Sequence, residues 1–309
     1  MEVAVIIEGI NESVIAMQPW IYYKDALAER NINIGIYKDS NEAFKKPFDI
    51  MLLHAWQDWR NKENFNPFRI LPIMEYYSIY RAEFPETVQV ILYHSDMTRC
   101  GYATPYWRTG DPILYRTPPY NREELYPFPR EKIWAYERIW GEPCFRSNQS
   151  PKYAAGFIGQ PNGPKGYRES VARETAKVGI GICGRPRPYS KQEYEKMMSE
   201  CQIIVCPRGW GEQSRRHWDA WLSGKPVLTD RECDSVEMIP GIRLREAVHY
   251  LVFDDPKEIP DIVSQWTSRT RLDDLVHIAI NGYKAASSYD ALGRIAEFFN
   301  RALAGNNMC

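Results

Sequence analysis

The feature that most constrains this chain is the recurrence of short, largely apolar runs separated by stretches with helical spacing. In the first half, Glu2–Glu8, Ile32–Tyr37, Phe48–Trp56 and Val88–His94 read as strands, with helical periodicity over Trp20–Arg30 and Phe68–Phe84. The second half restarts at Lys152. Strands end at Gly159 and cover Val178–Cys183, Gln202–Cys206, Pro226–Thr229 and His249–Phe253. Helices are expected at Tyr167–Lys177, Lys191–Glu200 and Ser214–Ser223, then over 257–266, 271–287 and 289–304. Apolar strands alternating with helices imply parallel sheets covered on both faces. A length of 309 residues suits two domains of about 150 each. The expectation is therefore an α/β protein with two Rossmann-like doubly wound halves, 1–150 and 151–309, each taking ligands at the carboxyl ends of its strands.

Between the halves the pattern fades over Ser95–Pro129. Pro105, Pro112, Pro118, Pro119, Pro127 and Pro129 alternate there with Tyr102, Tyr106, Trp107, Tyr115, Tyr120 and Tyr126. A long loop of this kind is a functional segment or a linker. Its rings suit stacking on sugar faces with their polar tips hydrogen-bonding, and they equally suit pinning the loop to its own domain. Glu131–Trp140 reads as a short helix.

Composition excludes several classes. A net charge of −1 argues against a nucleic-acid footprint. The seven cysteines are odd in number, scattered and without a Cys-x-x-Cys pair, as expected for reduced thiols in the cytosol. The start, MEVAVIIEGI, lacks the basic region of a signal peptide, and no run of about 18 apolar residues exists, so a cytoplasmic protein without a membrane span is expected.

The most informative segment is Cys206 to Asp230, CPRGWGEQSRRHWDAWLSGKPVLTD. A buried strand ends at Pro207, Gly209 and Gly211 punctuate a short loop, and Ser214 sits where a helix N-cap belongs. Free backbone N–H groups and the helix dipole make such a start an anion site. Arg216 adds a planar fork for phosphate oxygens, and Asp219 a carboxylate for ribose or sugar hydroxyls. The same turn is common in α/β proteins, and Arg215 with Asp219 also fits a solvated i,i+4 pair.

Cys206, Pro207 and Gly209, then Ser214, Arg216, Asp219 and Ala220, then Gly224, Pro226 and Val227 form a pattern that resembles the donor-site motif of exostosin-like glycosyltransferases. The family has Glu where this chain carries Asp219. The Phe157–Gly159 strand end and the stretch His249–Pro260 are similar to flanking parts of that family, so the resemblance spans roughly residues 155–266. It implies a GT-B fold, with two Rossmann-like domains facing a cleft and the last helical pattern packing back on the first domain. It further implies sugar transfer from a UDP- or GDP-sugar to a hydroxyl acceptor, a glycan above all. Gly159, Arg208, Gly209, Gly211, Ser214, Arg216 and Asp219 are the implied donor-binding residues. Enzymes of this type use the helix N-terminus and basic side chains in place of a metal. No Asp-x-Asp occurs, and His54, His94, His217 and His249 show no ligand spacing, so neither metal nor cofactor is expected.

An inverting enzyme would need a general base in the first half, at a strand's carboxyl end. His54 with Asp58, and His94 with Asp96, occupy such places, and each His fits equally a satisfied strand-end residue; a retaining enzyme needs no such base. Two rivals are a nucleotide-sugar epimerase on the same scaffold, which needs no acceptor, and a phage-type enzyme that glycosylates modified DNA bases.

Overall fold

The computed structural model describes residues 1–6, 18–55, 78–93, 113–115, 133–135, 150–161, 164–184, 190–209, 214–234, 238–239 and 241–304. The chain divides into two compact units, Met1–Arg138 with Asp290–Cys309, and Ile139–Tyr289.

The first unit contains a parallel sheet of β1 (Glu2–Ile6), β2 (Asn33–Tyr37), β3 (Ile50–Ala55), β4 (Val88–Tyr93), β5 (Ile113–Tyr115) and β6 (Ile133–Ala135) in the order β2-β1-β3-β4-β5-β6. The apolar runs form its centre because both faces are covered: Val3, Ala4, Val5, Ile50, Met51 and Leu52 have no exposed surface. Helices α1 (Gln18–Ala28) and α2 (Ser40–Ala43) follow β1 and β2. Residues 78–83 are helical and lead into β4. The helix of Ala291–Leu303, which belongs to this unit, buries Phe298 and Phe299, and Phe299 lies 6.3 Å from Trp20 of α1, ring centre to ring centre.

Two sequence readings are corrected here. Residues 113–115, inside the stretch read as a loop, and residues 133–135, read as helical, are β5 and β6 at one side of the sheet. Three apolar residues are too few for a period of two or of 3.6 to show, and pairing with a neighbouring strand decides the outcome.

The second unit carries β7 (Tyr153–Gly159), β8 (Gly179–Cys183), β9 (Cys201–Cys206), β10 (Val227–Asp230) and β11 (Leu251–Phe253), all parallel, in the order β11-β10-β9-β7-β8. Between them run α3 (Tyr167–Thr175), α4 (Lys191–Ser199), α5 (Arg215–Leu222) and the short α6 (Arg231–Asp234); α7 (Ile259–Trp266) and α8 (Leu272–Ser287) follow β11. Phe157, Ile203, Val205, Leu228 and Phe253 form one continuous core with Val171 of α3, Ile259 and Val263 of α7, and Leu275 and Ile278 of α8. Helix α5 stops in a Schellman turn. Gly224 takes the left-handed φ of 66° and donates to Trp221 O at 2.9 Å, while Lys225 N donates to Ala220 O at 2.9 Å.

In each unit the chain moves outward by one strand from the first (β1 to β2, β7 to β8) and then reverses past it. The reversal points lie between β1 and β3 and between β7 and β9. Crevices at such points take ligands in doubly wound folds. Among the described residues, no helix is long and apolar enough to cross a membrane.

β8 reaches the sheet only because glycine lets it approach α3. A Cβ on Gly181 would lie 1.8 Å from Ala172 O, and one on Gly179 would lie 1.9 Å from Ala155 O. Backbone cannot yield as a flexible side chain does, so Gly181→Ala should destabilise the second unit by about 3 kcal/mol or more. Denaturant unfolding would measure it, and an unchanged midpoint would contradict the packing.

Candidate functional site

At the second reversal point, β7 ends in Phe157-Ile158-Gly159 and β9 ends in Cys206, followed by Pro207, Arg208 and Gly209. The chain then enters α5 through Ser214, whose φ of −120° and ψ of 154° are those of an N-cap.

Ser214 is the N-cap, as expected, and it forms a reciprocal capping box with His217. Ser214 N donates to His217 Nδ1 at 3.1 Å, so the imidazole, fully buried, satisfies the helix start. Nε2 lies 2.9 Å from Thr229 Oγ1, and that hydroxyl donates to Cys206 O at 2.9 Å. With the hydroxyl proton so used, the proton of His217 belongs on Nε2, the tautomer that serves both Thr229 Oγ1 and Ser214 N. Burial above all, then the Arg216 and Arg168 charges, depress the histidine to about 3 against the ordinary 6.5; the Ser214 contact opposes them. His217 is thus a neutral strut between α5, β9 and β10.

Three arginines surround the strand ends. Arg168, in the first turn of α3, is buried; its Nε donates to Arg208 O at 2.8 Å, Nη1 to Gln160 O at 3.4 Å and Nη2 to Pro207 O at 3.4 Å. It therefore ties the loop after β7 to the loop after β9. Burial first, and the Arg216 charge second, lower it to about 10, so it stays protonated at neutral pH. Arg216 donates from Nη2 to Ile158 O at 2.6 Å and lies over the Phe157 ring at 4.8 Å. Its Nε and Nη1 are buried without a hydrogen-bond partner among the described residues. Arg208 lies over the Tyr167 ring at 4.9 Å, pairs with Glu232 at 3.1 Å, and leaves Nε buried and unpartnered among the described residues.

Neither Arg168 nor Arg216 forms an ion pair among the described residues. Two cations held together in a partly dry site, with donor N–H groups left over, are complementary to an anion with several oxygens. Gly159 makes the approach possible: a Cβ there would lie 3.0 Å from Arg216 Nη2 and 2.8 Å from Phe157 Cζ. Below the loop, Asp230 accepts from Arg208 N at 2.6 Å and from the Tyr167 hydroxyl; burial raises its carboxyl above the ordinary range while those donors oppose the rise.

The residues singled out from sequence divide into four groups. Gly159, Arg208, Gly209, Ser214 and Arg216 gather at this one place. Asp219 lies a turn further along α5, 13% exposed, with Arg215 Nε 3.4 Å from its Oδ1, so the i,i+4 pair forms. His54 stands one residue before the end of β3, beside the first unit's reversal point; Gly211, Asp58, His94 and Asp96 lie outside the described residues. Sequence reasoning missed Arg168, Tyr167, His217 and Asp230. Their one signal was position, in the first turn of a helix or the last place of a strand. No group of three or more His, Cys, Asp or Glu among the described residues is arranged to hold a metal ion.

The depressed His217 gives a pH signature with a definite sign. The folded unit binds this proton less readily than the unfolded chain, so its stability falls as pH drops below 6.5 and continues to fall towards about 3. Between pH 6.5 and 5 the loss is about 2 kcal/mol. His217→Gln, which can still donate to Thr229, should lack this component; equal pH slopes for the two proteins in denaturant unfolding would refute the assignment.

Comparison with known proteins sets this geometry in context. No protein-family model matches the chain, and no curated protein matches it in sequence. Solved structures do match. Anabaena HepE in complex with UDP and glucose superposes with a TM-score of 0.61 at 10% identity, over 99% of this chain and 100% of that one. Sucrose-phosphate synthase from Thermosynechococcus elongatus gives 0.58 at 11%, over 99% and 100%. An alpha-glucosyltransferase bound to UDP and a 13-mer DNA containing an HMU base gives 0.57 at 11%, over 98% and 99%. At such identity the likeness speaks for architecture: this chain has the GT-B glycosyltransferase fold, built from two Rossmann-like units.

Proposed function

We propose that this protein is a glycosyltransferase that moves a sugar from a nucleoside-diphosphate sugar to a hydroxyl acceptor, with the donor diphosphate at the start of α5. The observation that carries the reading is Arg216, whose Nε and Nη1 are buried and unpartnered among the described residues at a reversal point of the sheet. A diphosphate supplies the oxygens those donors lack. The amino end of the α5 dipole adds partial positive charge there. HepE, of the same fold, is solved with UDP-glucose and with UDP and glucose, which makes UDP the nucleotide we expect. The Ser214, Arg216, Asp219 and Ala220 pattern supports the finer placement among exostosin-like enzymes.

In the transfer, the bond between the sugar's anomeric carbon and the diphosphate oxygen breaks, and charge accumulates on the departing diphosphate. Arg216 faces that charge, so its contact strengthens towards the transition state. Arg168 holds the two loops in place, and Arg208 adds a second cation. Asp219 is assigned to donor hydroxyls. For an inverting reaction the base comes from His54, His94 or Asp96 in the first unit. The DNA-bound neighbour raises a second reading, a modified DNA base as acceptor; we favour a carbohydrate because the net charge is −1.

Steady-state kinetics with UDP-sugars test this. Arg216→Ala should cost on the order of 3 kcal/mol, roughly a hundredfold in kcat. Arg216→Lys should recover part of that, because an ammonium cannot copy the planar fork. Asp219→Ala should raise KM more than it lowers kcat, and Arg215→Ala, at an exposed pair, should change little. A crippled Arg215→Ala beside a near-normal Arg216→Ala would overturn the assignment. Activity should also persist in excess chelator; abolition by EDTA with rescue by Mg²⁺ would defeat the cation-side-chain mechanism.

A further inference from the structure

Helix α8 is apolar on two faces, and the second unit uses one of them. Leu275, Ile278, Ala279, Gly282, Ala285 and Ala286 are buried. The fit against α5 is close enough that a Cβ on Gly282 would lie 2.6 Å from Trp221 Cδ1. On the other face Leu272, Val276, Ile280 and Tyr283 stand 42% to 48% exposed. Their spacing of four, four and three residues makes one continuous stripe. A shallow groove runs beside it, floored by Leu275 and Ala279 and walled by Pro151 and Pro226. Large apolar side chains grouped this way mark an interaction surface.

Charge identifies what covers it. Asp273 and Lys284 flank the stripe on the same side, one in the first turn and one in the last, and neither side chain is in an ion pair among the described residues. The midpoint between Asp273 and Lys284 falls at Ile278 or next to it. So do those between Leu272 and Tyr283 and between Val276 and Ile280. A two-fold axis crossing α8 there would lay a second α8 antiparallel on the first. It would oppose Leu272 to Tyr283, Val276 to Ile280 and Asp273 to Lys284, each pairing occurring twice. Apolar and charged residues are thus complementary to their own two-fold image.

We propose that α8 is the interface of a symmetric homodimer, in which the stripes of two copies pack antiparallel with a reciprocal Asp273–Lys284 pair at each end. A helix of 16 residues is about 24 Å long, so the contact is modest and the dimer reversible.

Light scattering and sedimentation of the full chain over rising concentration test this, with circular dichroism on every variant. The wild type should dimerise, and Ile280→Glu should weaken the dimer by about a hundredfold, since the charge enters the interface twice. Asp273→Lys and Lys284→Asp should each weaken it by roughly tenfold or more. Mixing those two variants should restore it, because their heterodimer opposes like charges nowhere. The lysine introduced in one copy meets the aspartate introduced in the other, and at the opposite end the native Asp273 meets the native Lys284. The mixture decides the matter even if one variant folds less well, since its rescue requires both to be folded. A wild type monomeric at roughly 100 µM, a dimer indifferent to Ile280→Glu, or failure of two folded variants to rescue each other would each overturn the proposal.

Discussion

The second unit depends on a buried cation, Arg168, that forms no ion pair among the described residues. Arg168 spends its donors on three main-chain carbonyls, those of Gln160, Pro207 and Arg208. Carbonyl oxygens carry only partial charge, so the guanidinium is solvated by the backbone while its full charge remains. Two consequences arise from one side chain. The loops leaving β7 and β9 are fixed relative to each other, and the crevice between them is electropositive before Arg216 and Arg208 are added. A Glu or Asp in the same place would have fixed the loops through an ion pair and removed the field.

The remaining parts follow from that arrangement. A histidine near the same cations survives only if neutral, and burial keeps His217 so; its two nitrogens then act as one acceptor and one donor, joining helix start to strand. Arg216 leans on the Phe157 ring and on Ile158 O, so its fork is oriented by contacts that leave two N–H groups over. Asp230, the carboxylate below the loop, is occupied by Arg208 N and the Tyr167 hydroxyl and leaves the crevice cationic.

Much of this could be read from the chain, and the unread parts share a physical cause. Long apolar runs such as Gln202–Cys206 announce buried parallel strands because burial on both faces is a local requirement. Gly209, Ser214 and Arg216 were visible because a turn followed by a capped helix has a local signature. Ile113–Tyr115 and Ile133–Ala135 were not, since three residues acquire a conformation from the strand beside them. Arg168 and His217 were missed for a related reason. Apart from the contact of His217 with Ser214, their roles are set by contacts 8 to 40 residues away along the chain, where spacing carries no information. His217 even reads, locally, as one more polar residue in a first turn.

The absence of a side chain at Gly159 has a consequence for how this crevice can diversify. The Cα of residue 159 faces both the Phe157 ring and the Arg216 fork, so anything larger than hydrogen there would displace the ring, the fork or both. The direction of the positive charge is therefore governed from an uncharged position on another element, the end of β7. A relative could redirect that charge, and with it the shape of anion it accepts, by one substitution that leaves every charged residue in place.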